Sequence, residues 1–416
     1  MNLKERLALI KNEKTKLKPS APRKRFIPEG WQEIAPLVWA REVSRPFRQV
    51  PETLSPSIMR PLVPAYDEAM HVEPGSVPAG YIAFFDLETT GLSGGAGTIA
   101  FLCTTATFEG SSLFLKQIYL EDYPGEPEFL KKVIENLSAA KWIASYNGTA
   151  FDIPLLQVRC VLNRIAMPQL RHIDLLHDCR RFWGRSVQSC ALQSMEAFLL
   201  GKERESDIPG ALVPKVWLDL VKSELPSEEQ KALMVLVWKH NLEDVVSLAE
   251  LFLLAEMAYR DPVSGVARYA IDPAAIASRL LKTGRTEEAR KLLLMVRDQN
   301  SALDCQGEKR MRALRVLASL ARREKNHRLF AETILAMDNS AYGCVAKAKL
   351  FEHVYKDPQA ALEWAKSARE ILASQKELSK ELWEGQEPRQ LPYLTIESLQ
   401  HRIARLERKA AKQKGL

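Results

Sequence analysis

Cysteine is scarce in this chain. The six present, at positions 103, 160, 179, 190, 305 and 344, are scattered through 416 residues with no close pair at metal-ligand spacing. That argues against a zinc site or a disulfide framework, and for a reducing compartment. Long apolar runs are missing too. The longest, near Val245 to Ala258, is interrupted by Glu250 and Glu256, so no membrane span is expected. The opening MNLKERLALIKNEKTKLK lacks the continuous apolar core of a signal peptide. Together these give the expectation of a cytoplasmic protein. No phosphate-cradling P-loop and no nucleophile elbow is present, which leaves Ser/His/Asp nucleophilic catalysis without support.

What the chain does have is an ordinary globular balance, 46% apolar and 27% charged, over a length that suggests two or three domains. Its net charge of +7 is unevenly spread. Residues 1–26 hold nine Lys/Arg against two Glu, and residues 402–416 hold six against one, which leaves the body of the chain mildly acidic. Basic ends of this kind lend salt-dependent, sequence-blind attraction to a nucleic-acid backbone, or serve only as solvated tails.

Residues 1–78 read as a basic, Pro-rich extension, partly disordered, with room for a strand or two around GWQEIAPLVWAREV. From Tyr81 the texture changes. YIAFFD is a short apolar run ending abruptly in acid, and TIAFLCTTATF and SSLFLKQIYL alternate as paired strands do. EPEFLKKVIENL predicts a helix with acids in its first turn, KWIASYN a buried strand, FDIPLLQVRCVLN a helix and HIDLL a fifth strand. A meander followed by alternating helix and strand predicts an α/β domain over 79–260, a mixed sheet flanked by helices. Residues 261–416 read as an all-α domain. IASRLLKTGRTEEARKLLLMV and two later segments share a helix–turn–helix cadence anchored at Ala289, Ala331 and Ala361, a degenerate tetratricopeptide-like array or an unrelated helical bundle.

The chemistry concentrates in three places. In Phe84-Phe85-Asp86-Leu87-Glu88-Thr89, the two acids stand two apart on a strand and therefore project to one face. Adjacent carboxylates at the end of an apolar strand repel each other and resist desolvation, and a divalent cation is the natural compensation. Hard oxygen ligands without Cys suit Mg²⁺ or Mn²⁺. In Tyr146-Asn147-Gly148-Thr149-Ala150-Phe151-Asp152, a buried strand breaks at a Gly turn and delivers an acid into the first turn of a helix. Alone, Asp152 would read as a helix cap; Asn147 is placed to orient substrate or a water. In Lys239-His240-Asn241-Leu242-Glu243-Asp244, His240 and Asp244 are four apart on a helix and share a face, so one can handle a proton beside the other's metal.

In this order and spacing, the three elements resemble the exonuclease motifs of the DnaQ-like (DEDD) branch of the ribonuclease H-like superfamily. The likeness is closer still to the bacterial YprB-like family, through the Gly-rich Ser93-to-Gly97 segment, the Asp207-Ile208-Pro209-Gly210 stretch and the His-Asn-x-x-Asp-x-x-Ser-Leu close. It covers residues 80–258 well and the rest loosely or hardly at all. It implies a ribonuclease H-like fold, with Asp86, Glu88, Asp152 and Asp244 as metal ligands for two ions about 3.5–4 Å apart. The implied reaction is 3′–5′ exonucleolytic hydrolysis of single-stranded nucleic acid, RNA favoured over DNA, with His240 accepting the proton of the attacking water. One departure stands out: exonucleases of this class place Tyr four residues before the last acid, or His five before it. Here His240 takes the tyrosine position.

Thr89, Asn147 and Phe151 are the candidate substrate contacts beside the acids. Arg180-Arg181-Phe182-Trp183 sets guanidinium groups beside aromatics, as single-strand clefts do, or forms a half-buried helix face. Asp174 either approaches the metals or is buried on backbone bonds. Lys202, Arg204 and Lys215 are placed to line a substrate path. The helical repeats are expected to meet a protein partner or guide the strand. The rival reading is a non-catalytic nucleic-acid-binding scaffold on the same fold.

Overall fold

A computed structural model describes residues 26–27, 29–47, 50–51, 53–54, 58, 77–91, 97–204, 207–223, 225–303, 305–382 and 394–413. The basic stretch 1–25, most of the Pro-rich lead-in and residues 92–96 of the Gly-rich segment lie outside this set. The chain divides into two compact units, residues 1–180 with 187–256, and residues 181–186 with 257–416.

The first unit is built on a seven-stranded mixed sheet in the order β1-β2-β7-β6-β5-β8-β9. The strands are β1 (Gln32–Ala35), β2 (Val38–Pro46), β5 (Ile82–Thr89), β6 (Ala100–Glu109), β7 (Ser112–Leu120), β8 (Trp142–Ser145) and β9 (His172–Asp174). A separate short pair joins β3 (Thr53–Leu54) to β4 (Val77–Pro78). β5, β6 and β7 form the predicted meander, and β8 and β9 add parallel to its β5 side. Because β5 is an interior strand covered on both faces, Ile82 to Phe85 are all buried, which is why its sequence is continuously apolar rather than alternating. β2, from the lead-in, pairs along all nine of its residues with β7. Its half-exposed position shows in its alternating burial.

Helix α1 (Glu126–Ser138) buries Phe129, Leu130, Val133 and Leu137, the i, i+1, i+4, i+8 stripe of an amphipathic helix. It is tied to α2 (Asp152–Leu162) by a buried Glu126–Arg159 ion pair at 2.5 Å. α3 (Leu175–Phe182), α4 (Leu192–Met195, continued as a π-turn to Leu200) and α5 (Val213–Lys222) follow. The 33-residue α6 (Glu228–Arg260) lays Met234, Val237 and Trp238 into the sheet's core. Trp238 sits 4.9 Å from Trp31 and 5.2 Å from Tyr119, ring to ring.

The second unit is helical: α7 (Pro262–Tyr269), α8 (Pro273–Lys282), α9 (Thr286–Arg297), α10 (Gly307–Arg323), α11 (His327–Leu335), α12 (Ala341–Leu350), α13 (Pro358–Leu382) and α14 (Ile396–Gln413). Successive helices pack on one another, and Ala289, Ala331 and Ala361 are all buried. Small side chains at those positions let neighbouring helices approach. Among the described residues no helix is long and apolar enough to cross a membrane.

Candidate metal centre

Asp86 and Glu88 emerge on one face at the end of β5, where the ladder to β6 slips between Glu88 and Thr89. The Thr89 hydroxyl is used locally, donating to the Gly91 carbonyl at 2.9 Å. Asp152 starts α2 and is buried. His240 and Asp244 face the same region from α6: ligand atoms of Glu88, His240 and Asp244 all lie within 4.8 Å of one another. Asp86 feels the charges of Asp244, Asp152 and Glu88, so the four predicted carboxylates act on one another.

Their electrostatics are those of a site that wants a cation. Burial first, then Asp244, Asp152 and Glu88, hold the Asp86 carboxyl well above the usual carboxylate range. Burial and the charges of Asp244, Asp152 and Asp207 do the same to Glu88. Burial, with Asp174, pushes Asp152 up to about 7. Burial raises Asp244 against the opposing pull of His240 and Arg204. Crowded oxygen donors that resist ionisation fit hard divalent ions, which would supply the missing positive charge.

A pH dependence follows. A carboxyl raised on folding keeps its proton longer in the native state, so the native chain binds more protons between the two values. Its stability is therefore greatest at acid pH and is lost as pH rises from about 4 through about 7. In chelator, the melting temperature should be higher at pH 5 than at pH 8, and added Mn²⁺ should raise it most at pH 8. A melting temperature in chelator that is flat or climbs with pH would mean the acids do not repel one another.

The turn between β8 and α2 is tightly specified. Asn147 adopts φ +66°, and its N–H donates to Asp174 Oδ1 at 2.8 Å. The N–H groups of Thr149 and Leu176 donate to the same carboxylate at 3.1 Å each. Asp174 is thus buried on backbone bonds, the second of the two roles the sequence left open. Gly148 donates to Ser145 Oγ at 3.1 Å, and a Cβ there would sit 2.1 Å from that oxygen and 2.8 Å from Asp152 Oδ2. Gly148→Ala should therefore cost about 1–3 kcal/mol, the usual range for overpacking, in urea denaturation and should weaken divalent-metal binding with it. Wild-type stability and metal affinity in that variant would contradict the packing. Just past the turn, the Phe151 ring is 53% exposed, open to stacking.

His240 has a partner the sequence did not reveal. Its Nδ1 lies 2.8 Å from Asp207 Oδ1, while Nε2 is turned toward Asp244 Oδ2 at 3.6 Å. An Nδ1–H donated to a carboxylate leaves the Nε2 lone pair facing the acids. Burial alone would raise Asp207, but the bond from His240 and the charges of His240 and Arg204 bring it below its usual value.

A second support runs to Asp86. Cross-strand register aligns Arg41, Gln117, Thr104 and Asp86 in one row over β2, β7, β6 and β5. Arg41 Nε donates to Gln117 Oε1 at 2.6 Å, and Gln117 Nε2 donates to Thr104 Oγ1 at 2.7 Å. The Thr104 hydroxyl donates to Asn241 Oδ1, and Asn241 Nδ2 donates to Asp86 Oδ2 at 2.7 Å. Gln117 spends its other N–H on the Trp238 carbonyl at 3.0 Å. Every donor in this chain points the same way, from a guanidinium toward a carboxylate, so its dipoles add and favour the ionised, oriented Asp86.

Arg204 corrects an expectation. Grouped on sequence with residues lining a substrate path, it is instead a counter-ion of the acids, 2.5 Å from Asp244 Oδ1, 3.4 Å from Asp207 and bonded to the buried Glu196. Lys202 pairs with Glu250, and Lys215 stands exposed near Asp219. The stacking aromatics expected at 182–183 are not available: Phe182 and Trp183 are buried, and Trp183 Nε1 donates to the Tyr269 carbonyl at 2.7 Å. Arg180 is exposed and Arg181 half-buried on α3. Asn241, Thr104, Gln117, Arg41 and Asp207 are the supporting residues sequence reasoning did not assign; only Asn241 and Asp207 stood inside noted motifs.

Residues 83–255 match a family model described as RNase_H superfamily. The uncharacterized protein YprB of Bacillus subtilis (strain 168) is 35% identical over 173 residues, 41% of this chain and 40% of that protein. The chain thus spans well under two thirds of that relative's length. A family B DNA polymerase from the hyperthermophilic archaeon Pyrobaculum calidifontis overlays 64% of this chain and 34% of its own at 14% identity, with a TM-score of 0.34. The seven-stranded mixed sheet with its flanking helices, in the segment that the RNase_H superfamily model matches, fits a ribonuclease H-like fold, and a helical region follows it.

Proposed function

We propose that this protein is a divalent-metal-dependent 3′–5′ exonuclease that hydrolyses single-stranded nucleic acid, RNA ahead of DNA. The observation that carries it is the meeting of the mutually repelling acids Asp86, Glu88, Asp152 and Asp244 beside an imidazole whose Nδ1 is held by Asp207. In this reading the four acids would hold two Mg²⁺ or Mn²⁺ ions, which when bound would supply Lewis acidity at the scissile phosphate. His240 Nε2 takes the proton of the attacking water, and Asp207 stabilises the imidazolium that results. The hydrogen-bonded chain ending at Asn241 fixes Asp86. The exposed Phe151 ring stacks on a terminal base, with Thr89 and Asn147 beside it and Arg180 and Arg181 on the approaching phosphates. Histidine in the usual tyrosine position is compatible with this role because Asp207 sets its tautomer.

In this proposal the catalytic domain is residues 79–260 together with β1 and β2, which the lead-in adds to its sheet, the start of the chain is a basic extension, and residues 261–416 are a tetratricopeptide-like array that guides the strand or meets a protein partner. The test is a time course on 5′-labelled and 3′-labelled single strands of RNA and DNA with Mg²⁺ or Mn²⁺. Shortening from the 3′ end, with label released as mononucleotide from the 3′-labelled strand, is expected. Internal cuts would replace the exonuclease by an endonuclease, and binding without cleavage would favour a non-catalytic scaffold.

A further inference from the structure

We propose that the helical unit carries a second, separate site for single-stranded nucleic acid, a groove of about 540 Å³ between α10, α11 and α12 in which Arg315, Arg322 and Lys349 receive the phosphates. It goes beyond the cleavage reading and does not depend on it.

Several arginines elsewhere in this unit are paired with acids. Arg290 bonds Glu287 and Glu324, and Arg297 bonds Asp298 and Glu332. Arg312 bonds Asp272 and Glu308, while Arg402, Arg405 and Lys409 converge on Glu352. The cations of the groove are not paired in this way: among the described residues no Asp or Glu lines it, and neither Arg315, Arg322 nor Lys349 has a carboxylate partner. Arg315 Nε is buried without a hydrogen-bond partner. Burial, then the charges of Arg402 and Arg322, lower the Lys349 ammonium, as expected where cations crowd without an anion among them. The nearest acid on the adjoining turn, Glu352, is buried and already shared by three cations and His353.

The aromatic residues of the groove specify which polyanion. The Arg315 guanidinium lies 3.7 Å over the Tyr342 ring and that of Arg322 lies 5.0 Å from Phe330. A guanidinium held against an aromatic ring keeps N–H groups for phosphate oxygens and forms, with the ring, a surface on which a base can stack. An acidic peptide would satisfy the charges and leave those surfaces unused. Single strands supply both, phosphate for the N–H groups and bases for the surfaces.

The test uses the full chain in EDTA, where cleavage does not occur, and reads the anisotropy of labelled oligouridylate and oligothymidylate over a range of salt. Arg322→Glu with Lys349→Glu, both at exposed positions, should weaken binding about tenfold or more. The same pair should make the slope of log K against log salt shallower by about 1.4, two single-strand phosphate contacts. Arg315→Gln, which removes the guanidinium from the Tyr342 ring, should weaken binding in the same direction. Lys282→Glu with Lys291→Glu, exposed cations on α8 and α9 outside the groove, should change affinity by no more than about twofold. Circular dichroism and melting temperature establish that each variant is folded. Unchanged affinity and slope in the groove variants would overturn the site, as would an equal loss in the α8–α9 control. Loss of polyglutamate binding with strand binding intact would assign the groove to acidic peptides instead. Absent cleavage in Mn²⁺ with groove binding intact would count against the nuclease reading alone.

Discussion

Asp86→Ala is expected to lower the rate of phosphodiester cleavage by about a thousandfold or more, with strand binding in EDTA unchanged. Asp86 is the carboxylate on which the most support converges. It sits on an interior strand, it feels the charges of the three other acids, and it ends a one-directional hydrogen-bonded chain from Arg41. Metal ions stabilise transition-state charge by several kcal/mol, and about 4 kcal/mol corresponds to three decades in rate. The variant should also gain stability in chelator, because it removes one of four repelling groups, and should bind Mn²⁺ more weakly. A variant that is inactive but keeps wild-type Mn²⁺ affinity would place Asp86 outside the metal site.

His240→Ala is expected to cost about a hundred- to ten-thousandfold in rate, the range for a lost general base, while leaving Mn²⁺ affinity close to wild type. The sharper readout is the pH profile. His240→Tyr, which installs the residue that the exonuclease motifs it resembles carry at this position, should retain activity with a flatter dependence on pH, since a phenol there positions water without titrating. Removing Asp207 acts through His240 and should lower the rate as well. A wild-type rate in His240→Ala would mean that another group accepts the proton.

How much of this was legible depends on how local each feature is. Asp86 and Glu88 stand two apart on a strand, and His240 and Asp244 stand four apart on a helix, so backbone periodicity alone puts each pair on one face. The strands of the meander and the helix 126–138 are similarly local. Partners brought together by tertiary pairing were not legible. The row Arg41, Gln117, Thr104 and Asp86 exists only because of β-sheet register, which no short stretch of sequence declares. Asp207 reaches His240 across 33 positions, and Arg204 turns inward to Glu196 and Asp244 although its charge suggested a solvent or substrate role. For Arg180-Arg181-Phe182-Trp183 the sequence left a stacking cleft and a half-buried helix face both open, and burial of the two rings at the end of α3 decides for the second.

The most direct measurement of the central claim, that the four acids form a divalent-metal site, is a Mn²⁺ titration followed by electron paramagnetic resonance on the wild-type protein, Asp86→Ala and Asp244→Ala at pH 8. Saturable binding of two ions per wild-type chain, weakened in both variants, is the predicted result. No saturable binding to the wild type, or binding that neither substitution disturbs, would contradict it.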